Sequence, residues 1–166
     1  VSVLDGGFPK WLKEGHPQDN QPVTLRDKHF TASFTGALVK NVTQVSAASK
    51  LGDHTIIDAR DADRFKGKAA EPRAGLRAGH IPGSTNLHYK ELLNDDGTMK
   101  NKDSLQSLFK KARINQEKPI ITTCGSGVTA AIISLALEIV GYKNHSVYDG
   151  SWTEWGQFDQ LPVEVG

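Results

Sequence analysis

The chain is poor in sulfur, with one cysteine and one methionine among 166 residues. A single cysteine excludes an internal disulfide and any cysteine-rich metal site, and it fits a reducing, cytoplasmic setting. The six histidines (16, 29, 54, 80, 88 and 145) have no metal-ligand spacing, so no metal is expected. Neither sign of charge dominates. Twenty Lys and Arg against 19 Asp and Glu leave a net charge of +1, which gives no footing for nucleic acid or a membrane surface. Long hydrophobic runs are missing too. The longest, Val128 to Leu137, contains Thr129 and Ser134 and stops at Glu138. That is well short of the roughly 20 apolar residues of a membrane span. No phosphate loop or dinucleotide fingerprint is present, so no cofactor is expected. What remains, 37% hydrophobic and 23% charged, is ordinary for a globular domain with one core.

The lone cysteine lies in Pro119-Ile-Ile-Thr-Thr-Cys124-Gly-Ser-Gly-Val-Thr129. A β-branched run ends at the thiol, a Gly-Ser-Gly turn follows, and an apolar helical pattern comes after it. This order predicts a sulfur at the handover from strand to helix, among free backbone N–H groups at the positive end of a helix dipole. A free thiol is only a few per cent thiolate at neutral pH, so a nucleophile needs surroundings that favour the anion. The dipole supplies about 0.3–2 kcal/mol. Backbone donors of Gly125-Ser-Gly127, with the Ser126 and Thr129 hydroxyls, can add to it. The alternative for such a cysteine is a small buried hydrophobe, though an inert core position needs no curled glycine loop. A phosphatase cradle places an arginine six residues after its cysteine to clamp phosphate. Here that residue is Ala130, and the loop has no basic residue.

The two ends of the chain echo one another. Val3-Leu-Asp5-Gly6 with Trp11 repeats as Val147-Tyr-Asp149-Gly150 with Trp155, at a constant offset of 144 residues. A repeat of that size is a domain, not a solenoid unit. The expected organisation is residues 1–15 as the tail of a preceding sister domain, 16–22 as an extended polar linker, and 23–166 as the main domain.

Strands are expected at 38–40, 55–59, 84–87, 120–123 and 146–148. Helices are expected from an Asn41 or Thr43 cap to Leu51, at 61–65 and 89–93, from an Asp103 cap over 104–112, and over 127–140, ended by Gly141. Alternating apolar strands and helices imply an α/β fold whose mostly parallel sheet is covered on both faces. Ligand sites in such sheets lie off the carboxyl ends of the strands, where Cys124 and the segment after Asp58 both fall.

In chain order, Asp58-Ala-Arg60, Asp63-Arg64-Phe65, Glu71-Pro-Arg73, Gly79-His-Ile-Pro-Gly83, Cys124-Gly-Ser-Gly-Val-Thr129, Tyr148-Asp-Gly150 and Trp152-x-x-Trp155 together resemble the rhodanese superfamily. The likeness runs from about residue 23 to the end. The Gly-Ser-Gly loop resembles the branch that uses 3-mercaptopyruvate, whereas thiosulfate-preferring relatives carry Arg-Lys after the cysteine. The resemblance implies a rhodanese-like α/β fold with a central, mostly parallel five-stranded sheet. It implies that Cys124 takes sulfur from a small-molecule donor, holds it as a persulfide, and passes it to a thiol acceptor such as thioredoxin, or to cyanide. Arg64 and Arg73 would bind the donor's carboxylate and carbonyl. Ser126 would relay a proton or polarise the donor, and Gly125, Gly127, Val128 and Thr129 would complete the binding loop. Family enzymes also draw an Asp and a His from an N-terminal rhodanese-like domain that is absent here. Asp58 and Arg60 are expected to form an internal ion pair, His80 to fix the Ile81-Pro82 turn, and Trp152 and Trp155 to be core or domain interface. Thiosulfate as the donor, or a non-catalytic binding or sulfur-carrier module, are the alternatives.

Overall fold

The computed structural model describes residues 2–115 and 117–166; Val1, the first residue of the expected tail, lies outside them. Five strands form one sheet: β1 (Val39–Lys40), β2 (Thr55–Asp58), β3 (Thr85–Asn86), β4 (Ile120–Thr123) and β5 (His145–Tyr148). Their order is β1-β5-β4-β2-β3 and every pairing is parallel. Successive strand residues point to opposite faces, so β2 and β4 divide their side chains between two cores. Ile57 and Ile120 join Leu105, Phe109, Ile133 and Leu137 on one face. That face is covered by helices α4 (Lys102–Lys111) and α5 (Ala130–Val140). Ile56 and Ile121 meet Val45, Ile81, Tyr148, Trp152 and Trp155 on the other. Here the cover is α2 (Val42–Leu51) and α6 (Ser151–Trp155). Both tryptophans are therefore core. The short helix α3 (Ala62–Phe65) follows β2.

Several expected boundaries shift. The strand expected at 84–87 shortens to Thr85–Asn86, and the helix expected at 89–93 is a 3-10 turn, Tyr89–Leu92. Another 3-10 turn, Gly36–Leu38, takes the first residue expected in β1. Helix α4 is capped by Asn101, whose carboxamide oxygen accepts from the Ser104 N–H at 2.9 Å; Asp103 sits in the first turn instead. Helix α5 starts at Ala130, not at residue 127, because Gly127 adopts a left-handed φ of 82° that no helix continues. Asn41 is the cap of α2, in a capping box with Gln44 whose two bonds are both 3.0 Å.

At the N-terminal end, helix α1 (Gly7–Lys13) buries no residue. Every residue from Leu12 to Val39 is exposed, and residues 16–35 contain no helix or strand. At the other end the chain straps back over the domain. Glu164 exchanges backbone hydrogen bonds with His80 at 2.8 and 3.0 Å, and the Trp155 indole donates to the Pro162 carbonyl at 2.9 Å. His80 stacks on Phe65 and its Nδ1 lies 2.8 Å from the Phe65 carbonyl, so it ties α3 to the strap.

Candidate active site

Parallel register places the site. Asp58 is opposite Thr123, and the Ala59 N–H donates to the Thr123 carbonyl at 2.9 Å, so the segments leaving β2 and β4 depart side by side. Cys124 is the first residue past β4. It is 2% exposed and packs against the α5 side of the core, yet it also lines a cavity of about 290 Å³. Arg64, Glu71, Arg73, Ser126 and Thr153 share that lining. The thiol is thus covered by the protein and open to a small hollow, not sealed into the core.

Helix α6 shapes the loop. Its Trp152 N–H donates to the Cys124 carbonyl at 2.9 Å, and its Thr153 N–H and hydroxyl donate to the Gly125 carbonyl at 2.8 and 2.6 Å. The Cys124 N–H in turn donates to the Ser151 hydroxyl at 3.2 Å, and that hydroxyl donates to the Tyr148 carbonyl. The carbonyls of Cys124 and Gly125 are held by α6, and among the described residues the N–H groups of residues 125–129 have no acceptor in the chain. Consecutive unclaimed amides form an anion-binding nest. The nest is a non-helical turn between the end of β4 and the start of α5. Gly127 closes it: a Cβ there would stand 2.8 Å from the Asp149 carbonyl oxygen. Gly127 is buried behind the loop, whereas Gly125, Ser126, Val128 and Thr129 line the cavity. The hydroxyls of Ser126 and Thr129 make no hydrogen bond within the described chain, which leaves both free for a ligand.

Both sequence-predicted arginines reach the cavity. Arg64 leaves α3, whose Asp61 cap accepts from the Arg64 N–H at 3.0 Å. Its guanidinium grips Glu71 through Nη2 (2.6 Å) and Nε (3.3 Å). Nη2 also lies 3.0 Å from where a Cβ on Gly125 would be, so glycine there lets the guanidinium lie against the loop. Burial opposes the charge on Arg64, but Glu71 more than offsets it and raises the guanidinium's pKa above its ordinary value. Arg73 donates through Nη1 to the Thr153 hydroxyl, the same hydroxyl that donates to the Gly125 carbonyl.

Glu71 and Thr153 were missed as site residues. Glu71 lies inside the quoted Glu71-Pro-Arg73 motif and Thr153 inside Trp152-x-x-Trp155, so motif membership was the available signal. The Glu71 side chain is 2% exposed and also accepts from Arg60 at 2.8 Å. Arg60 makes the expected ion pair with Asp58 through Nε and Nη2, at 2.7–3.1 Å, and lies over the Trp152 ring at 4.4 Å. A row of alternating charge, its side chains buried except at Arg64, therefore runs Asp58, Arg60, Glu71, Arg64, from the end of β2 to the cavity. A larger hollow of about 730 Å³ lies against α4 and holds none of the predicted residues. Among the described residues no group of three or more His, Cys, Asp or Glu could hold a metal ion. No helix among them is long and apolar enough to cross a membrane.

Comparison with known proteins places the chain in a family. Residues 41–158 match the model of the Rhodanese-like domain family. The chain is 43% identical over 164 residues to the 3-mercaptopyruvate sulfurtransferase of Escherichia coli, covering 99% of this chain and 58% of that protein. It is 39% identical over 166 residues to the thiosulfate sulfurtransferase of Bos taurus, covering 99% of this chain and 55% of that protein. The chain thus spans little more than half the length of these relatives. The crystal structure of SseA from Escherichia coli, a 3-mercaptopyruvate enzyme, superimposes with a TM-score of 0.78 at 40% identity, over 92% of this chain and 56% of SseA. Family model and relatives agree: the chain belongs to the rhodanese-like domain family.

Proposed function

We propose that the chain is the catalytic domain of a sulfurtransferase that takes sulfur from 3-mercaptopyruvate. The observation that carries this is the meeting of Cys124, the unclaimed amides of residues 125–129, Arg64 and Arg73 around one small cavity. Guanidinium groups match a carboxylate with paired N–H donors. Arg64 and Arg73 would hold the donor's carboxylate and carbonyl while its sulfur faces Cys124. The Cys124 thiolate attacks that sulfur and an S–S bond forms. The donor's C–S bond breaks, its electron pair leaves as pyruvate enolate, and the enolate takes a proton at carbon. Ser126, with a hydroxyl free to face the donor, is suited to pass that proton. The amides of the nest hold the persulfide anion until an outside thiol, such as that of thioredoxin, or cyanide removes the outer sulfur.

The Gly-Ser-Gly loop supports a singly charged donor over thiosulfate, because no cation follows the cysteine to match a dianion. The same proposal extends to the N-terminal residues: 1–15 end a preceding rhodanese-like unit, 16–22 link it, and 23–166 are the catalytic domain. Gly7 and Ser151, 144 residues apart, both take a left-handed φ (62° and 49°) at the start of a helix. The exposed Leu4 and Phe8 stand where Tyr148 and Trp152 are buried in the echo.

The test is intact-mass measurement after incubation with 3-mercaptopyruvate. The expected result is a gain of one sulfur, about 32 Da, that a reductant removes and that Cys124→Ser abolishes. No gain with either 3-mercaptopyruvate or thiosulfate would leave a non-catalytic module.

A further inference from the structure

The row of charge ends in a feature that a simple anion pocket would not need. The cavity carries two guanidinium groups and one carboxylate, and the carboxylate is spent on the protein's own cations. The Glu71 side chain is 2% exposed, and both its oxygens accept from arginine: Oε1 from Arg60 at 2.8 Å and Arg64 at 3.3 Å, Oε2 from Arg64 at 2.6 Å. Arg60 does not depend on Glu71, since it also holds Asp58 and donates to the Gly79 carbonyl at 2.8 Å. The partner that only Glu71 holds by its side chain is therefore Arg64, whose backbone alone is fixed by Asp61.

Resting on the sulfurtransferase function proposed above, we infer that Glu71 is a specificity-determining positioning residue. It fixes the Arg64 fork against the Cys124 loop and cancels one of the two cavity cations, so that the site presents a single positive charge and favours singly charged sulfur donors over dianions. Its Nη2–Nε grip turns one edge of the fork to Glu71 and leaves Nη1 for the donor. Arg73, tied to neutral Thr153, keeps its whole charge. A carboxylate of the lining thus does work that the lack of a basic residue in the loop does only in part.

Three variants of the chain separate charge from position: Glu71→Gln, Arg64→Gln, and the two combined. Two pairs of probes are compared in each. The first is alkylation of Cys124 by anionic iodoacetate against neutral iodoacetamide, which needs no sulfur transfer. The second is the initial rate of sulfur uptake from thiosulfate against 3-mercaptopyruvate, read by intact mass. Removing the Glu71 charge is expected to raise both ratios by about three- to tenfold, the effect of one unit charge a few ångströms away in a partly wet cavity. Arg64→Gln is expected to lower both by a similar factor. The double variant, with the charge restored, is expected to return both ratios to within about twofold of the original, while its KM for 3-mercaptopyruvate stays raised for want of the fork. Should Glu71→Gln fail to fold, the fall in Arg64→Gln and the return in the double variant still decide the matter. Ratios that do not move in the single variants, or a double variant that keeps the shift of either one, would overturn the inference. Absence of sulfur uptake by the unaltered chain would defeat the sulfurtransferase function instead, and the alkylation ratios would still report on Glu71.

Discussion

Arg64 lines the cavity with one edge committed to Glu71 and the other open. Replacing it with alanine removes a charge-assisted donor of the kind worth about 1.5–3 kcal/mol. Arg64→Ala is therefore expected to raise the KM for 3-mercaptopyruvate about 10- to 100-fold, at 1.4 kcal/mol per factor of ten. Alkylation by iodoacetamide should change by less than about twofold, because a neutral reagent does not need the guanidinium. Steady-state kinetics beside an alkylation time course checks both, and an unchanged KM would remove Arg64 from the site. At this scale the sequence was legible where chemistry is local. Cys124 followed by glycines, and Arg64 and Arg73 within ordered motifs, led to side chains that do line one cavity. Glu71 and Thr153 were not legible as site residues. Their roles come from pairing with residues up to 80 positions away, Arg73 with Thr153, and no spacing along one chain encodes such a meeting.

Among the elements, α6 and the loop after β4 act as one piece. The helix takes up the loop's carbonyls, and Gly127 fits against the Asp149 backbone only because it has no side chain. Gly127→Ala forces a left-handed φ on a residue with a Cβ, which costs about 1–3 kcal/mol. Its contact with the Asp149 carbonyl adds to that. Thermal unfolding is expected to fall by about 4–12 °C, at roughly 2–4 °C per kcal/mol for a chain of this size. Sulfur uptake should fall with it. An unchanged melting temperature would mean that the loop is not pinned to α6 as described. Strand and helix types were readable from apolar runs, since β2, β4 and α2 were expected almost to the residue. The starts of α4 and α5 were not. Two capping residues, Asn101 and Asp103, lie close together, and Gly127, with its positive φ, packs against the Asp149 backbone, a contact its own apolar pattern does not encode.

For the whole molecule, the last residues matter out of proportion to their number. Residues 162–166 accept the Trp155 indole, pair with both sides of His80, and lay Val163 and Val165 against Gly79, whose carbonyl receives Arg60. Deleting them is expected to lower the melting temperature by about 5 °C or more, from several lost hydrogen bonds at about 0.5–1.5 kcal/mol each. Circular dichroism melting of the shortened chain checks this, and an unaltered midpoint would make the strap a surface accessory. The exposed stretch from Leu12 to Val39 has the opposite character, since it contributes no buried side chain. The α/β class and the two-faced sheet were readable in the alternation of the elements. The strap was not, because Val163 to Val165 pairs as a single antiparallel bridge, with no strand-length run to announce it. Finally, a chain with a single cysteine has no second thiol with which to heal itself. Were Cys124 oxidised to a sulfenic acid, no second thiol of this chain could condense with it and return it to use. A rescuing thiol has to reach Cys124 through the same cavity that admits the donor, which makes the rate of repair a property of that thiol's surroundings as much as of its redox potential.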